Sequence, residues 1–152
     1  MNKKIMYRAI NILCLLILIG TIVWLVAVWD NIPDEIATHF DYAGNPDSYG
    51  SKTDIIVIPI FAWILYGVMV FVELIPGAWN TGVKVTPENS ERVYGIIKSM
   101  IVFLKLYIVI LFAVITVFSA LVQRMPVWLL PVEMVVIFGT IIVSLVRLYR
   151  AR

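Results

Sequence analysis

Charge is scarce in this sequence. Of its 152 residues 14% are Asp, Glu, Lys or Arg, while 62% are hydrophobic. Soluble domains run near half apolar and a quarter charged, so this deficit excludes an ordinary water-soluble fold of the same length. The mean hydropathy of +0.97 points the same way. Cysteine is nearly missing: Cys14 stands alone, which excludes an intramolecular disulfide and a cysteine-based metal site. His39 is the single histidine. There is no HExxH, no GxSxG, no glycine-rich phosphate loop and no Cys pair. The expectation is therefore a non-enzyme without a cofactor, and the lack of a basic, aromatic-rich soluble patch argues against nucleic-acid binding.

What is abundant is apolar sequence, gathered in four runs at residues 9–29, 55–75, 100–122 and 127–146. Each has about the 20 residues that an α-helix needs to cross some 30 Å of hydrocarbon. Backbone groups there find no water, so runs of this length are helical. The predicted fold is an all-α integral membrane protein: one domain over residues 1–152, a four-helix transmembrane bundle with an ordered extracellular loop between helices 1 and 2. Thr86-Pro87-Glu88 offers a hydroxyl cap, a proline at the first helical position and an acid in the first turn, which moves the start of the third helix back to Pro87. The predicted helices are then 9–29, 55–75, 87–122 and 127–147, with an outer loop at 30–54 and an inner loop at 76–86. The first run follows Lys3, Lys4 and Arg8 like a signal peptide. It is too long for one, however, and it ends in Ala27-Val28-Trp29, a poor cleavage site.

Lys and Arg are distributed unequally. Nine lie at the N-terminus (Lys3, Lys4, Arg8), in the 76–98 segment (Lys84, Arg92, Lys98) and at the C-terminus (Arg147, Arg150, Arg152); only Lys52 and Arg124 flank the other ends of the helices. Positive-inside bias then predicts a multi-pass membrane protein with both termini cytoplasmic. Trp29 and Trp128 fall at the expected outer boundary, and Tyr7, Trp79 and Tyr149 at the inner one.

Three ionisable residues interrupt the apolar runs: Glu73, Lys105 and Glu133. A charge at mid-membrane costs roughly 2.5–3.5 kcal/mol even on a mild scale, so each needs a partner, a neutral form or an exit. Glu73 and Lys105 sit at similar depth and are candidates for an interhelical pair. Glu91, Lys98 and Lys105, seven apart, share one face of the third helix. Glu133 has no obvious base nearby except Arg124 or Lys52, which leaves it protonated, hydrogen-bonded, or part of a polar pocket beneath the outer loop. Pro59 and Pro131 lie near helix starts, where a missing amide is harmless.

The outer loop reads DNIPDEIATHFDYAGNPDSYGSKTD, with six acids against one Lys and one His. Asn45-Pro46-Asp47 and Tyr49-Gly50-Ser51 are turn signals, and Ile36, Phe40, Tyr42 and Tyr49 can pack. The expectation is a compact cap, with residues 36–42 as a short strand or one helical turn. His39, Asp41 and Asp47 are the weak candidates for a metal, imidazole and carboxylate suiting zinc or manganese.

This loop resembles the signature of a bacterial membrane family, domain of unknown function 1648, which forms the first part of SdpI-like immunity proteins. The pattern P-x-x-I-x-x-H-F-x-x-x-G-x-P-D-x-aromatic-G-S-K is met by Pro33, Ile36, His39, Phe40, Gly44, Pro46, Asp47, Tyr49, Gly50, Ser51 and Lys52, with Tyr49 where Trp is common. The resemblance implies protection from, or sensing of, a toxic peptide or envelope-active compound. The outer-loop residues His39, Phe40, Asp41, Gly44, Pro46, Asp47, Gly50, Ser51 and Lys52 are then the candidate binding set. An acidic loop suits a cationic peptide. Longer immunity proteins carry further helices in a second domain, whereas this sequence holds four. The alternatives are an accessory or signalling subunit, which meets a soluble or membrane protein at the basic inner face around Lys84, Arg92 and Lys98, and a small membrane enzyme or transporter that uses Glu133, His39 and Lys105. In every case the lipid bilayer is a partner.

Overall fold

The structure, a computed structural model, describes residues 3–152. Four long helices run up and down: α1 (Lys3–Val28), α2 (Val57–Leu74), α3 (Ser90–Leu121) and α4 (Leu129–Arg150). All four are long and apolar enough to cross a membrane. Between α1 and α2 lies a β-hairpin, β1 (Glu35–Phe40) with β2 (Pro46–Ser51), bracketed by 3-10 turns at Trp29–Asn31 and Lys52–Ile56. The cap is thus ordered, and residues 36–40 form a strand.

α3 is the axis, since α1, α2 and α4 each pack on it. Its buried residues run from Val93 to Ala120 and serve three clusters. At mid-depth Cys14, Leu18, Ala62, Val102 and Val109 meet, so the lone thiol is an ordinary core residue. At the termini end Val93, Ile96, Ile97 and Ile101 meet Leu148 and Ala151. At the hairpin end Leu25, Ile32, Ile36, Ile55 and Ala120 close the bundle. α1, α2 and α4 otherwise turn large apolar side chains outward, as lipid-facing helices do.

Three boundaries differ from expectation by three residues or more, one of them the end of α4, which reaches Arg150 and not 147. α1 starts at Lys3, a full turn and more before the apolar run, because Tyr7 and Ile10 are already buried against the bundle. α3 starts at Ser90, not Pro87. The Asn89 side chain folds back to accept from the Thr86 amide at 2.7 Å and donates to the Lys84 carbonyl at 3.0 Å, so residues 86–89 close a separate turn. The Thr86 hydroxyl bonds the Glu88 carboxylate and holds its pKa below the usual range. Tyr7 is no interfacial anchor: it is buried and its hydroxyl lies 2.7 Å from Ser99 Oγ, tying α1 to α3. Trp79 Nε1 donates to the Val72 carbonyl at 2.7 Å, capping the end of α2. Pro59 and Pro131 occupy the first turns of α2 and α4, where no intrahelical bond is lost.

The hairpin is seated from two sides. Ile36 and Ala37 are buried, so β1 lies on the helix ends while β2 faces away. Its tip is tied to the α3–α4 connection: the Met125 amide donates to the Gly44 carbonyl at 2.8 Å, and Arg124 Nε donates to the Ala43 carbonyl at 3.1 Å. α3 ends in a left-handed Val122 (φ 49°), a costly conformation for a β-branched residue, and this bend turns the chain toward the tip. Gly44 has φ +79°, and a Cβ there would stand 2.0 Å from the Met125 carbonyl oxygen. Gly44→Ala is expected to destabilise the protein by about 2 kcal/mol or more, through strain and clash together. Gly20→Ala, with nothing within 4 Å, is the neutral control in the same detergent melting experiment.

Candidate functional site

The hairpin is short of strand-forming residues on β2, and its shape comes from local hydrogen bonding. Asp41 organises the tip. Its Oδ1 accepts from the Asn45 amide at 2.8 Å and its Oδ2 from Asn45 Nδ2 at 3.1 Å. These bonds to the ionised form, the backbone one first, hold the Asp41 pKa below the usual carboxylate range. The antiparallel register runs Glu35 to Ser51, Ile36 to Gly50 and Ala37 to Tyr49, then slips so that His39 faces Ser48 and Phe40 faces Pro46. Thr38 on β1 and Asp47 on β2 are each left unopposed. That pair of irregularities brings His39 Nδ1 to 2.5 Å from Asp47 Oδ1. The two side chains are 68% and 43% exposed.

The nine loop residues divide by role. Gly50 sits where the Thr38 methyl and the Asp54 carboxylate would both lie 2.7 Å from a Cβ. Ser51 caps the following 3-10 turn by accepting from the Thr53 amide at 3.4 Å. Gly44 and Asp41 build the tip, and Pro46 opens β2 opposite the half-buried Phe40. Lys52 lies over the Trp29 ring, 5.0 Å from its centroid. Asp47 thus pairs with His39, and Lys52 turns to Trp29 at the end of α1. Among the exposed side chains of the hairpin are His39, Asp47, Tyr49 and Tyr42, the last 97% exposed. The two exposed tyrosines and the His–Asp pair all belong to this one seated hairpin.

Asp41 does not join His39 and Asp47 in a metal set. Both its oxygens are engaged by Asn45, and among the described residues no three His, Cys, Asp or Glu side chains are placed to hold an ion.

Within the bundle, Glu73 and Lys105 do meet. Lys105 is 0% exposed and its Nζ lies 2.6 Å from Glu73 Oε2. Lys98 Nζ stands 3.7 Å from Glu73 Oε1, so one carboxylate serves two lysines a heptad apart on α3. The Tyr66 ring adds a cation–π contact, 5.5 Å from Lys105 Nζ. Glu133 joins neither group; its Oε1 is buried with no hydrogen-bond partner among the described residues. Sequence reasoning missed Arg124 and Met125 as the clamp on the hairpin tip, Tyr66 beside Lys105, and the Tyr7–Ser99 tie. Only Lys98 carried a signal, through its spacing from Lys105.

The comparison with known families now has a geometry to attach to. Residues 16–69 match the family model described as Domain of unknown function (DUF1648). That span covers the second half of α1, the whole hairpin and most of α2, and leaves α3 and α4 outside. No curated protein and no solved structure matches the chain. The chain has four candidate membrane spans, as a multi-pass membrane protein has, and its 16–69 segment is similar to this domain.

The ion pair gives a direct test. Glu73→Gln leaves the Lys105 ammonium buried without its carboxylate and is expected to cost about 3–5 kcal/mol. Glu73→Leu combined with Lys105→Met is expected to recover most of that loss in melts of the purified protein, because both charges leave together. A double variant no more stable than Glu73→Gln would show that the pair itself is not what holds α2 to α3.

Proposed function

We propose that this is an SdpI-type immunity protein of a bacterial cytoplasmic membrane, and that its hairpin recognises a cationic, membrane-active peptide or a similar envelope-active compound. In this reading the hairpin end is outside and both termini are cytoplasmic, in keeping with nine bases on the termini side against two on the other. The observation that carries the proposal is the His39–Asp47 pair, exposed on a hairpin that also exposes Tyr42 and Tyr49 while Ile36 and Ala37 of β1 are buried. A preorganised surface loses little ordering entropy on binding. Exposed tyrosines supply contact area at low rotamer cost, and the six acids of the 30–54 segment attract a basic ligand. The role is binding, without a chemical step.

The accessory or signalling reading is favoured by one feature. α3 touches the hairpin at one end and carries Arg92 and Lys98 at the other, so a shift of the cap could reach a partner protein at the basic face.

A sensitive host expressing the chain is expected to survive challenge by at least one member of a panel of cationic membrane-active peptides. His39→Ala and Asp47→Ala should each abolish that survival at unchanged membrane levels. An exposed pair contributes only about 0.2–1 kcal/mol to stability, so folding should not confuse the result. Survival that persists in both variants would remove these residues from recognition. No survival against any peptide, with a partner protein co-purifying, would favour the signalling reading.

A further inference from the structure

At the end of the bundle opposite the hairpin, the first turns of α1 and α3 enclose a basin that the proposed recognition role does not use. Its outer chamber, about 560 Å³, is lined by Lys3, Lys4, Tyr7, Arg92 and Lys98, with Glu88, Glu91 and Gly95 completing the wall. A deeper chamber of about 260 Å³ shares Lys4, Tyr7 and Lys98 and adds Arg8, Asn11 and Glu73. The walls are fixed. The Tyr7 hydroxyl bridges to Ser99, Lys98 Nζ lies 5.7 Å from the Tyr7 ring, and Glu73 is already held by Lys105. Lys3 reaches over Gly95, its Nζ 3.9 Å from where a Cβ would stand.

Two features point to a ligand. Lys3, Arg8 and Arg92 form no ion pair with an acid among the described residues, although they line one basin. Asn11 lines the deeper chamber, and its Oδ1 is buried without a hydrogen-bond donor among the described residues. Cationic donors together with an unmatched amide acceptor suit a group that has an anionic oxygen and a hydroxyl at once. The basin also opens beside exposed apolar residues of α1, Ile5 and Ile12, at the level where a spanning helix meets lipid. We propose that it binds the headgroup of an anionic phospholipid of the phosphatidylglycerol type. The phosphodiester lies among Arg8, Arg92 and Lys98, a headgroup hydroxyl donates to Asn11 Oδ1, and the acyl chains run down the α1 flank. Basic pockets between transmembrane helices are suited to such headgroups.

The full chain, purified in neutral detergent with equimolar phosphatidylglycerol and phosphatidylcholine, should retain one phosphatidylglycerol in native mass spectrometry. Arg8→Gln with Arg92→Gln should lower that retention roughly 30-fold, the worth of about two interfacial bases. Arg8→Lys with Arg92→Lys should keep most of it. If the double glutamine variant fails to fold, each single variant is expected to lose about fivefold. Equal retention of the two lipids, or retention unchanged in variants that melt like the parent, would overturn the proposal. Displacement by glycerol 3-phosphate at equal concentration would overturn it in favour of a free phosphate compound, and displacement by an acidic peptide in favour of a protein partner.

Discussion

The hairpin stands where the chain leaves its apolar surroundings, and its position depends on a short run of backbone hydrogen bonds at its tip. Met125 donates to Gly44, Gly44 donates to Asp41 at 2.9 Å, and Asp41 donates to Asn45 at 2.9 Å. Loops that leave amides unpaired near hydrocarbon are costly, so two connections far apart in sequence satisfy each other there. The tie also fixes the α3–α4 connection. Once α3 is held at that end, its buried face from Val93 to Ala120 sets where α1 and α2 lie. α4 is the least enclosed of the four helices, reaching the bundle through α3 and through Leu148 near its end.

The second constraint is electrostatic. Lys105 is enclosed completely, and a buried ammonium persists only with a carboxylate at hand. Glu73 meets it and also reaches Lys98, which fixes the relative height of α2 and α3. Apolar packing alone discriminates poorly between neighbouring heights of two lipid-exposed helices, since lipid is as apolar as the side chains it would replace. The result is a bundle with a registered core and two polar ends of different character. One is an acidic, aromatic hairpin; the other is a basic basin.

Much of this was legible in the sequence. The four apolar runs located the four helices, because bilayer thickness imposes a minimum length, while α1 and α3 extend six and ten residues ahead of their runs. The Glu73–Lys105 pair followed from depth and opposite sign. The turn residues of the 30–54 segment announced an ordered cap, and the motif led to the domain family. The second strand was not legible. Pro46, Asp47, Ser48 and Gly50 are poor strand formers, and β2 exists because β1 is already pinned by the burial of Ile36 and Ala37. The partner of Asp47 was not legible either, since it depends on the register slip after Ala37. The Arg124 and Met125 clamp joins positions some 80 residues apart, which no local pattern encodes. Tyr7 read as an interfacial anchor because aromatic belts are defined by depth alone, while its burial is decided by where α3 happens to carry Ser99.

The central claim is that the hairpin is a seated, preorganised surface. Residue-resolved hydrogen exchange on the full chain in lipid nanodiscs tests it most directly. The amides of Asp41, Gly44, Asn45 and Met125 are expected to exchange slowly, in step with the end of α3 and much more slowly than the free amides of the 76–89 connection. Rapid exchange at these four positions while α3 stays protected would contradict the account, because it would mean a hairpin that is not held by the bundle.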